Sequence, residues 1–476
     1  MAASFFFYDV ETSGLNPRAA RIMQFAGQRT DMDLQPIGDP INTLIKLPPD
    51  VLPDPEAILV TGITPQMTLS EGLTEAAFLK LFYDQAVKPD TIFLGYNSIR
   101  FDDEFMRFLH YRNFYDAYSW QSQKGCSRWD MLDAVRMTRA LRPKGIAWPF
   151  DSSGKPSNRL PLLSGINKLA HQSAHDALSD VNATIALSQL IRRKQPKLFD
   201  FLLKMRLKTE VSKLVLSPTP FVYSSGEYPS EFEKTTAAVA VGQPSQKRSV
   251  LVYNLRFDPS EFSDLSTSEL MKRWQKRHDD ESWKPFPVTT LQFNRCPAIA
   301  PLSVMDDASQ KRLQLDMKVI ENHFQTLQKS ESLITKLQEV QEMLNKQKQI
   351  EWTSDDLSVD EQLYDGFFDD RDKNLMTDIH DASPETLSNF ITQLNDPRLK
   401  ALLPLYKARN YPADLSSQER SDWEAFCQQR LMSGKTQSRL ARYMQRITEL
   451  ATKPTTDKDQ YLLEELRLYG ESIMPV

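Results

Sequence analysis

The densest apolar run lies near the start of the chain. Ser4–Val10 reads S-F-F-F-Y-D-V, without the alternation of a half-exposed strand, and predicts a central strand buried on both faces. The turn signal S-G-L-N-P follows, and Arg21–Thr30 and Asn42–Leu47 predict two more strands. The run L-T-E-A-A-F-L-K-L-F-Y, from Leu73, has helical spacing. Thr91–Tyr96 is strand-like and leads into a helix over about Asp102–Tyr111, and Ile166–Ile191 is mostly helical with a break before His175. Strands alternating with helices predict an α/β domain with a mixed sheet over residues 1–194.

The pattern changes after R-R-K-Q-P. Helical spacing continues to about Leu214, and then S-P-T-P-F-V-Y-S-S-G-E-Y-P opens a turn-rich stretch. V-L-V-Y-N-L-R-F and V-T-T-L-Q-F-N are strand candidates in it, and a long polar helix over Ala308–Gln349 closes a β-rich domain at residues 195–350. From Thr353 the spacing is almost all helical, which gives a third domain, 351–476. The chain has no internal repeat and no low-complexity tract.

A length of 476 residues is consistent with about three domains. Cys126, Cys296 and Cys427 are far apart and have no metal-ligand spacing, so neither a disulfide framework nor a zinc site is expected. The start, M-A-A-S-F-F-F-Y-D, lacks a basic region and its apolar run stops at Asp9, so the expectation is a cytoplasmic protein without a membrane span. The formal net charge of −5 is unevenly spread: residues 1–194 are neutral, 195–350 carry +3 and 351–476 carry −8. The first two segments can therefore present a local basic groove to an anionic polymer.

Three segments carry candidate chemistry. In Y-D-V-E-T-S-G, Asp9 and Glu11 stand two apart on a predicted strand and so point to one face. Two such carboxylates at the end of an apolar strand call for a cation; the bland reading is a solvated strand end. In L-G-Y-N-S-I-R-F-D-D-E-F, Asp102 and Asp103 open a helix, where acids are often mere dipole partners. In S-A-H-D-A-L-S-D-V, His175 and Asp180 fit H-x-A-x-x-D. A histidine there can take a proton from water near neutral pH; otherwise it is a capping or core residue.

In this order, D-x-E, then D, then H-x-A-x-x-D, the chain resembles the DEDDh group of the DEDD exonuclease superfamily. Longer stretches are similar to bacterial exonuclease I: G-I-T-P-Q, G-Y-N-S-I-R-F-D-D-E, Y-R-N-F-Y-D, S-R-W-D-M-L-D, A-L-R-P-K-G-I, A-H-D-A-L-S-D-V, N-R-C-P, Q-L-Y-D-G-F-F-D-D and Y-K-A-R-N-Y-P. The resemblance spans essentially the whole chain. It implies a ribonuclease-H-like nuclease domain, an SH3-like β domain and a helical C-terminal domain. It also implies 3′→5′ hydrolysis of single-stranded DNA to 5′-mononucleotides, in DNA repair and recombination.

By the same resemblance, two Mg²⁺ ions, replaceable by Mn²⁺, serve the reaction. Asp9, Glu11 and Asp180 hold one ion, Asp9 and Asp102 the other, and His175 takes the proton of the attacking water. Asp102 is preferred to Asp103 on the family position alone. Expected substrate contacts are Glu11, Arg107, Tyr118, Arg136, Arg142 and Arg159, since a strand is bound by cations on phosphates and rings under bases. Any single one of these arginines also reads as a solvated surface residue, and Trp120, Trp129 and Trp148 read more readily as core than as stacking platforms. The acidic tail of single-stranded-DNA-binding protein is an expected partner, although K-S-E-S-L-I-T-K, around Ser330, is less basic than that role suggests. A monomer is expected.

Two other readings compete. An RNA-trimming DEDDh nuclease fits the motifs, but such chains usually have one domain. A catalytically inactive nucleic-acid-binding module fits the fold, but all five catalytic positions are present.

Overall fold

The computed structural model describes residues 3–169, 176–245, 248–275, 286–352, 357–434, 436–453 and 456–474. The chain folds into two compact units. The first takes Met1–Cys126, Gln172–Asn182 and Asp356–Val476, and the second takes Ser127–His171 and Ala183–Asp355. Among the described residues no helix is long and apolar enough to cross a membrane.

The first unit is built on strand β1 (Ser4–Thr12). Strand β2 (Ile22–Thr30) pairs with it antiparallel, and β3 (Ile41–Leu44) adds to β2. Strand β4 (Thr91–Gly95) pairs with β1 parallel, which makes the sheet mixed. Flanked on both sides, β1 buries its whole apolar run, as its lack of alternation requires. Phe6, Tyr8, Phe25, Phe78, Phe82, Phe93 and Trp120 form the aromatic centre of this core. The third strand is shorter than its sequence predicts. Beyond Leu44 the backbone leaves the regular ladder: the Ile45 N–H reaches the Met23 carbonyl at 2.9 Å and the Lys46 N–H the Leu73 carbonyl at 2.8 Å.

Helices of the C-terminal stretch complete this unit. Arg439–Ala451 and Asp457–Ser472 pack Leu440, Tyr443, Ile447, Leu462 and Leu466 against Met23 and Ile58. Pro397–Asn410 packs Leu399, Leu402 and Tyr406 against Phe108, Tyr111 and Phe114. A buried ion network joins the same parts of the chain. Asp360, fully buried, accepts from Arg21 at 3.0 Å, from Arg409 at 2.8 Å and from Arg430 at 2.6 Å. Asp50 accepts from Arg409 at 2.7 Å. Burial alone would raise the Asp360 carboxyl; Arg409, Arg21 and Arg430 outweigh it and hold it well below the usual range.

In the second unit a short strand, β5 (Ser127–Asp130), leads into the helix Met131–Leu141. Strands β6 (Phe221–Ser224), β7 (Thr235–Ser245), β8 (Ser249–Asn254), β9 (Val288–Gln292) and β10 (Ala298–Pro301) form an antiparallel sheet in the order β10-β6-β7-β8-β9. Its core is Phe221, Val250, Val252, Leu291, Phe293 and Ile299. Two expected helices are divided. The stretch over Ala308–Gln349 is three helices, Asp307–Leu313, Met317–Gln328 and Glu331–Trp352. Gln314 takes a left-handed φ of 53°, and Asp316 then caps a new helix by accepting the Lys318 N–H. Ile166 ends a helix, Leu160–Ile166, rather than lying inside one. Asn167 closes it through its side-chain amide, which donates to the Leu163 and Ala147 carbonyls.

The ion network yields a stability prediction. Asp360→Ala leaves Arg21, Arg409 and Arg430 without their shared partner, so urea unfolding should show a loss of about 3–5 kcal/mol. A loss under about 1 kcal/mol would mean that the arginines find water or Asp50 instead.

Candidate active site

Asp9 and Glu11 lie on one face of β1, near its C-terminal end. Asp180 stands in the first turn of the helix Ala177–Lys194. One carboxylate oxygen from each of the three lies within 4.8 Å of the others. Ala177 is fully buried, so the helix comes close to the strand without a side chain between them. Gln24, opposite Glu11 in the β1–β2 register, holds this helix start. Its Nε2 donates to Asp176 Oδ1 at 3.1 Å, and its Oε1 accepts the Ala177 N–H at 3.3 Å. Asp176 in turn caps the helix by accepting the Ser179 N–H at 3.0 Å.

A fourth carboxylate arrives from the helix Asp102–Arg112, which follows β4. The parallel ladder between β1 and β4 ends at Phe7↔Leu94. Beyond it, Asp102 Oδ1 accepts the Val10 N–H at 3.0 Å, which fixes the buried Asp102 side chain to the strand between Asp9 and Glu11. Asp103 is held elsewhere, by the Tyr8 hydroxyl and by Arg107 at 3.8 Å. Since Tyr8 and Asp9 point to opposite faces of β1, the two adjacent acids serve opposite sides of the sheet.

The electrostatics follow from this crowding. Burial, then Asp102, Glu11, Asp180 and Asp176, raise the Asp9 carboxyl well above its ordinary range. Burial, then Asp180 and Asp176, push Glu11 up to about 8. The strongest charges acting on both are thus other carboxylates. Such a group is ionised together only with a cation among the oxygens, and hard carboxylate donors suit a small divalent ion.

Three family models match the chain: "Exonuclease" over residues 6–188, "Exonuclease I SH3-like domain" over 206–343 and "Exonuclease I C-terminal domain" over 357–473. Exodeoxyribonuclease I of Haemophilus influenzae is 35% identical over 99% of both chains. The chain belongs to the exonuclease I family.

Solved structures of the family agree. Exonuclease I from Methylocaldum szegediense is 39% identical, with a TM-score of 0.90 over 99% of this chain and 100% of that one. Escherichia coli exonuclease I in complex with a dA16 oligonucleotide is 34% identical, with a TM-score of 0.90 over the same shares. A structure of SSB/exonuclease I with an inhibitor is 33% identical, with a TM-score of 0.88 and full coverage of both chains. As an exonuclease I the chain is a hydrolytic exodeoxyribonuclease, and its acidic cluster is in keeping with divalent-metal dependence. The α/β multi-domain fold, with its SH3-like part, is the one its sequence predicts.

The expected site residues are placed unequally. Asp9, Glu11, Asp102 and Asp180 converge, whereas His175 lies outside the described residues. In the first unit, Arg107 is buried beside Glu104 and Asp103, with its guanidinium 5.2 Å from the ring centre of the exposed Tyr118. In the second unit, Arg136 pairs with Asp133, Arg142 donates to the Val304 carbonyl at 2.7 Å, and Arg159 is exposed at the start of Leu160–Ile166. Trp120 and Trp129 are buried core, and Trp148 is half-buried. Sequence reasoning missed Gln24 and Asp176. Asp176 was within reach as a helix cap beside His175, but Gln24 is visible only through strand register.

The raised Glu11 pKa gives a pH prediction for the metal-free protein. Between the unfolded value of 4.5 and the folded value of about 8, the folded chain keeps a proton that the unfolded chain releases. Stability from this group is therefore present at low pH and lost as pH rises through about 8. Glu11→Gln removes that loss. In EDTA its Tm should exceed the wild-type value above pH 8 and match it near pH 4; equal Tm values throughout would show that Glu11 ionises freely.

Proposed function

We propose that this exonuclease I hydrolyses single-stranded DNA from the 3′ end, releases 5′-mononucleotides, and acts in DNA repair and recombination. The observation that carries the reading is the convergence of Asp9, Glu11, Asp102 and Asp180, from β1 and two helices, into one cluster of carboxylates. Full-length similarity to exodeoxyribonuclease I and to a chain solved with dA16 supports the substrate.

Asp9, Glu11 and Asp180 would hold one Mg²⁺, and Asp9 with Asp102 would hold a second; Mn²⁺ would serve in place of either. When bound, the ions polarise the phosphate and lower the pKa of water, which is the usual supply of two-metal sites. The chain's own part is positional. Asp102 is fixed by the Val10 N–H, and Gln24 and Asp176 fix the turn that carries Asp180. His175, one residue before that cap, takes the proton of the attacking water. Glu11, Arg107, Tyr118, Arg136, Arg142 and Arg159 contact the strand. The SH3-like and C-terminal parts belong to a monomeric cytoplasmic enzyme. The structure of SSB with exonuclease I supports single-stranded-DNA-binding protein, through its acidic tail, as partner.

The test is a time course on 3′-labelled and 5′-labelled strands, with matched RNA and with EDTA. Loss of the 3′ label first, only on DNA and only with Mg²⁺, is expected. Asp9→Ala and Asp180→Ala should abolish turnover and leave binding largely intact. His175→Ala should slow the chemical step by about 10²–10⁴-fold. Near-full activity of either aspartate variant would remove the metal assignment, and equal cleavage of RNA would remove the DNA assignment.

A further inference from the structure

The first unit holds a second concentration of charge that this chemistry does not use. The turn after β1, Ser13–Asn16, borders a cavity of about 650 Å³. Arg430, Arg439 and Arg442 line the same cavity, from the helices Ser417–Met432 and Arg439–Ala451. Arg430 is already paired: it donates to Asp360 at 2.6 Å and lies 3.2 Å from Asp50. Arg439 and Arg442 are exposed, and neither forms an ion pair among the described residues. Asp54, also on the cavity wall, is occupied as the cap of the helix Pro55–Thr61, where it accepts the Glu56 N–H at 3.0 Å.

These cations meet at a cost. Burial and Arg430 lower the Arg439 pKa, Arg442 lowers it further, and Glu361 offsets only part. Both side chains also stand in the first turns of their helix, where the backbone dipole is already positive. Among the described residues Glu361 repays only part of this cost, and an anion in the cavity mouth would repay more. A guanidinium pair matches phosphate oxygens in geometry as well as charge. Ser13 follows Glu11 by two residues, at most about 7 Å of chain, which keeps the rim of the cavity beside the carboxylate cluster.

We propose that Arg439 and Arg442 form a phosphate subsite for the bound DNA strand beside the Ser13–Asn16 turn. The proposal rests on the single-stranded-DNA reading above and adds a contact from the C-terminal helices. Its test is the affinity of full-length protein for a labelled oligothymidylate, by fluorescence anisotropy without divalent metal, between about 50 and 200 mM salt. The Arg439→Gln/Arg442→Gln pair should bind about tenfold more weakly, with a log–log salt slope shallower by about 1.4, the value for two lost phosphate contacts on a single strand. Arg439→Lys/Arg442→Lys should keep most of the affinity. Each single glutamine variant should remove about 0.7 of the slope, so the comparison survives an unstable pair. Unchanged affinity and slope in the glutamine variants overturn the subsite. Unchanged strand binding with lost inhibition by 5′-dAMP would assign the arginines to the released nucleotide and overturn the strand contact. A wild type that binds the oligonucleotide but never shortens it once Mg²⁺ is added sinks the nuclease reading and leaves this one standing.

Discussion

Like charges held close together in a poorly hydrated cleft are the constraint around which the first unit is arranged. Carboxylate oxygens of Asp9, Glu11 and Asp180 stand within 4.8 Å of one another. At an effective dielectric near 20, each fully ionised pair at that range repels by roughly 3 kcal/mol. Left to itself, a flexible backbone would relax until the groups separated. Here it has little room to do so. Strand β1 is laddered on both sides, the Asp102 carboxylate is fixed to the Val10 N–H, and Gln24 spans the gap between sheet and helix. The repulsion that remains appears as proton affinity in Asp9 and Glu11. That same affinity is what a divalent cation exploits.

The other buried acids of this unit show what a purely structural solution looks like. Asp360 and Asp50 are as deeply placed as Glu11, yet their pKa values fall, because Arg21, Arg409 and Arg430 surround them. The two arrangements meet at one turn. Arg21 and Ser13 are joined by the Arg21 N–H to Ser13 Oγ at 2.9 Å and the Ser13 N–H to the Arg21 carbonyl at 2.8 Å. The end of the strand that carries Glu11 is thereby tied to the network that holds the C-terminal helices. Compensated charge fixes the frame, and uncompensated charge is left for the ligand.

Much of this was legible in the sequence, for identifiable reasons. Ser4–Val10 announced a central strand because aromatic residues without alternation fit only a surface covered twice. Asp9 and Glu11 announced a shared face because the strand period is two. Asp180 followed from a motif with a small residue at Ala177. Other features were hidden because they arise between segments. The choice of Asp102 over Asp103 depends on which acid meets the Val10 N–H and which meets the Tyr8 hydroxyl. Gln24 gains its role only from lying opposite Glu11. The division of Ala308–Gln349 turned on Gln314, whose left-handed conformation no helical periodicity reveals.

Net charge was the least informative number in the sequence, and the structure shows why. Residues 351–476 carry a formal −8, which taken alone argues against contact with DNA. Many of those acids are already committed. Asp369 and Asp396 cap helices, Asp459 and Glu419 complete capping boxes, Glu419 also pairs with Lys407, and Asp360 is buried among arginines. A group that is hydrogen-bonded and paired contributes little field beyond a Debye length of about 8 Å at physiological salt. What a strand meets is the remainder, and near the Ser13–Asn16 turn that remainder includes Arg439 and Arg442. An acidic segment can thus present a basic edge, provided its carboxylates are turned toward its own backbone and its uncommitted cations toward the cleft.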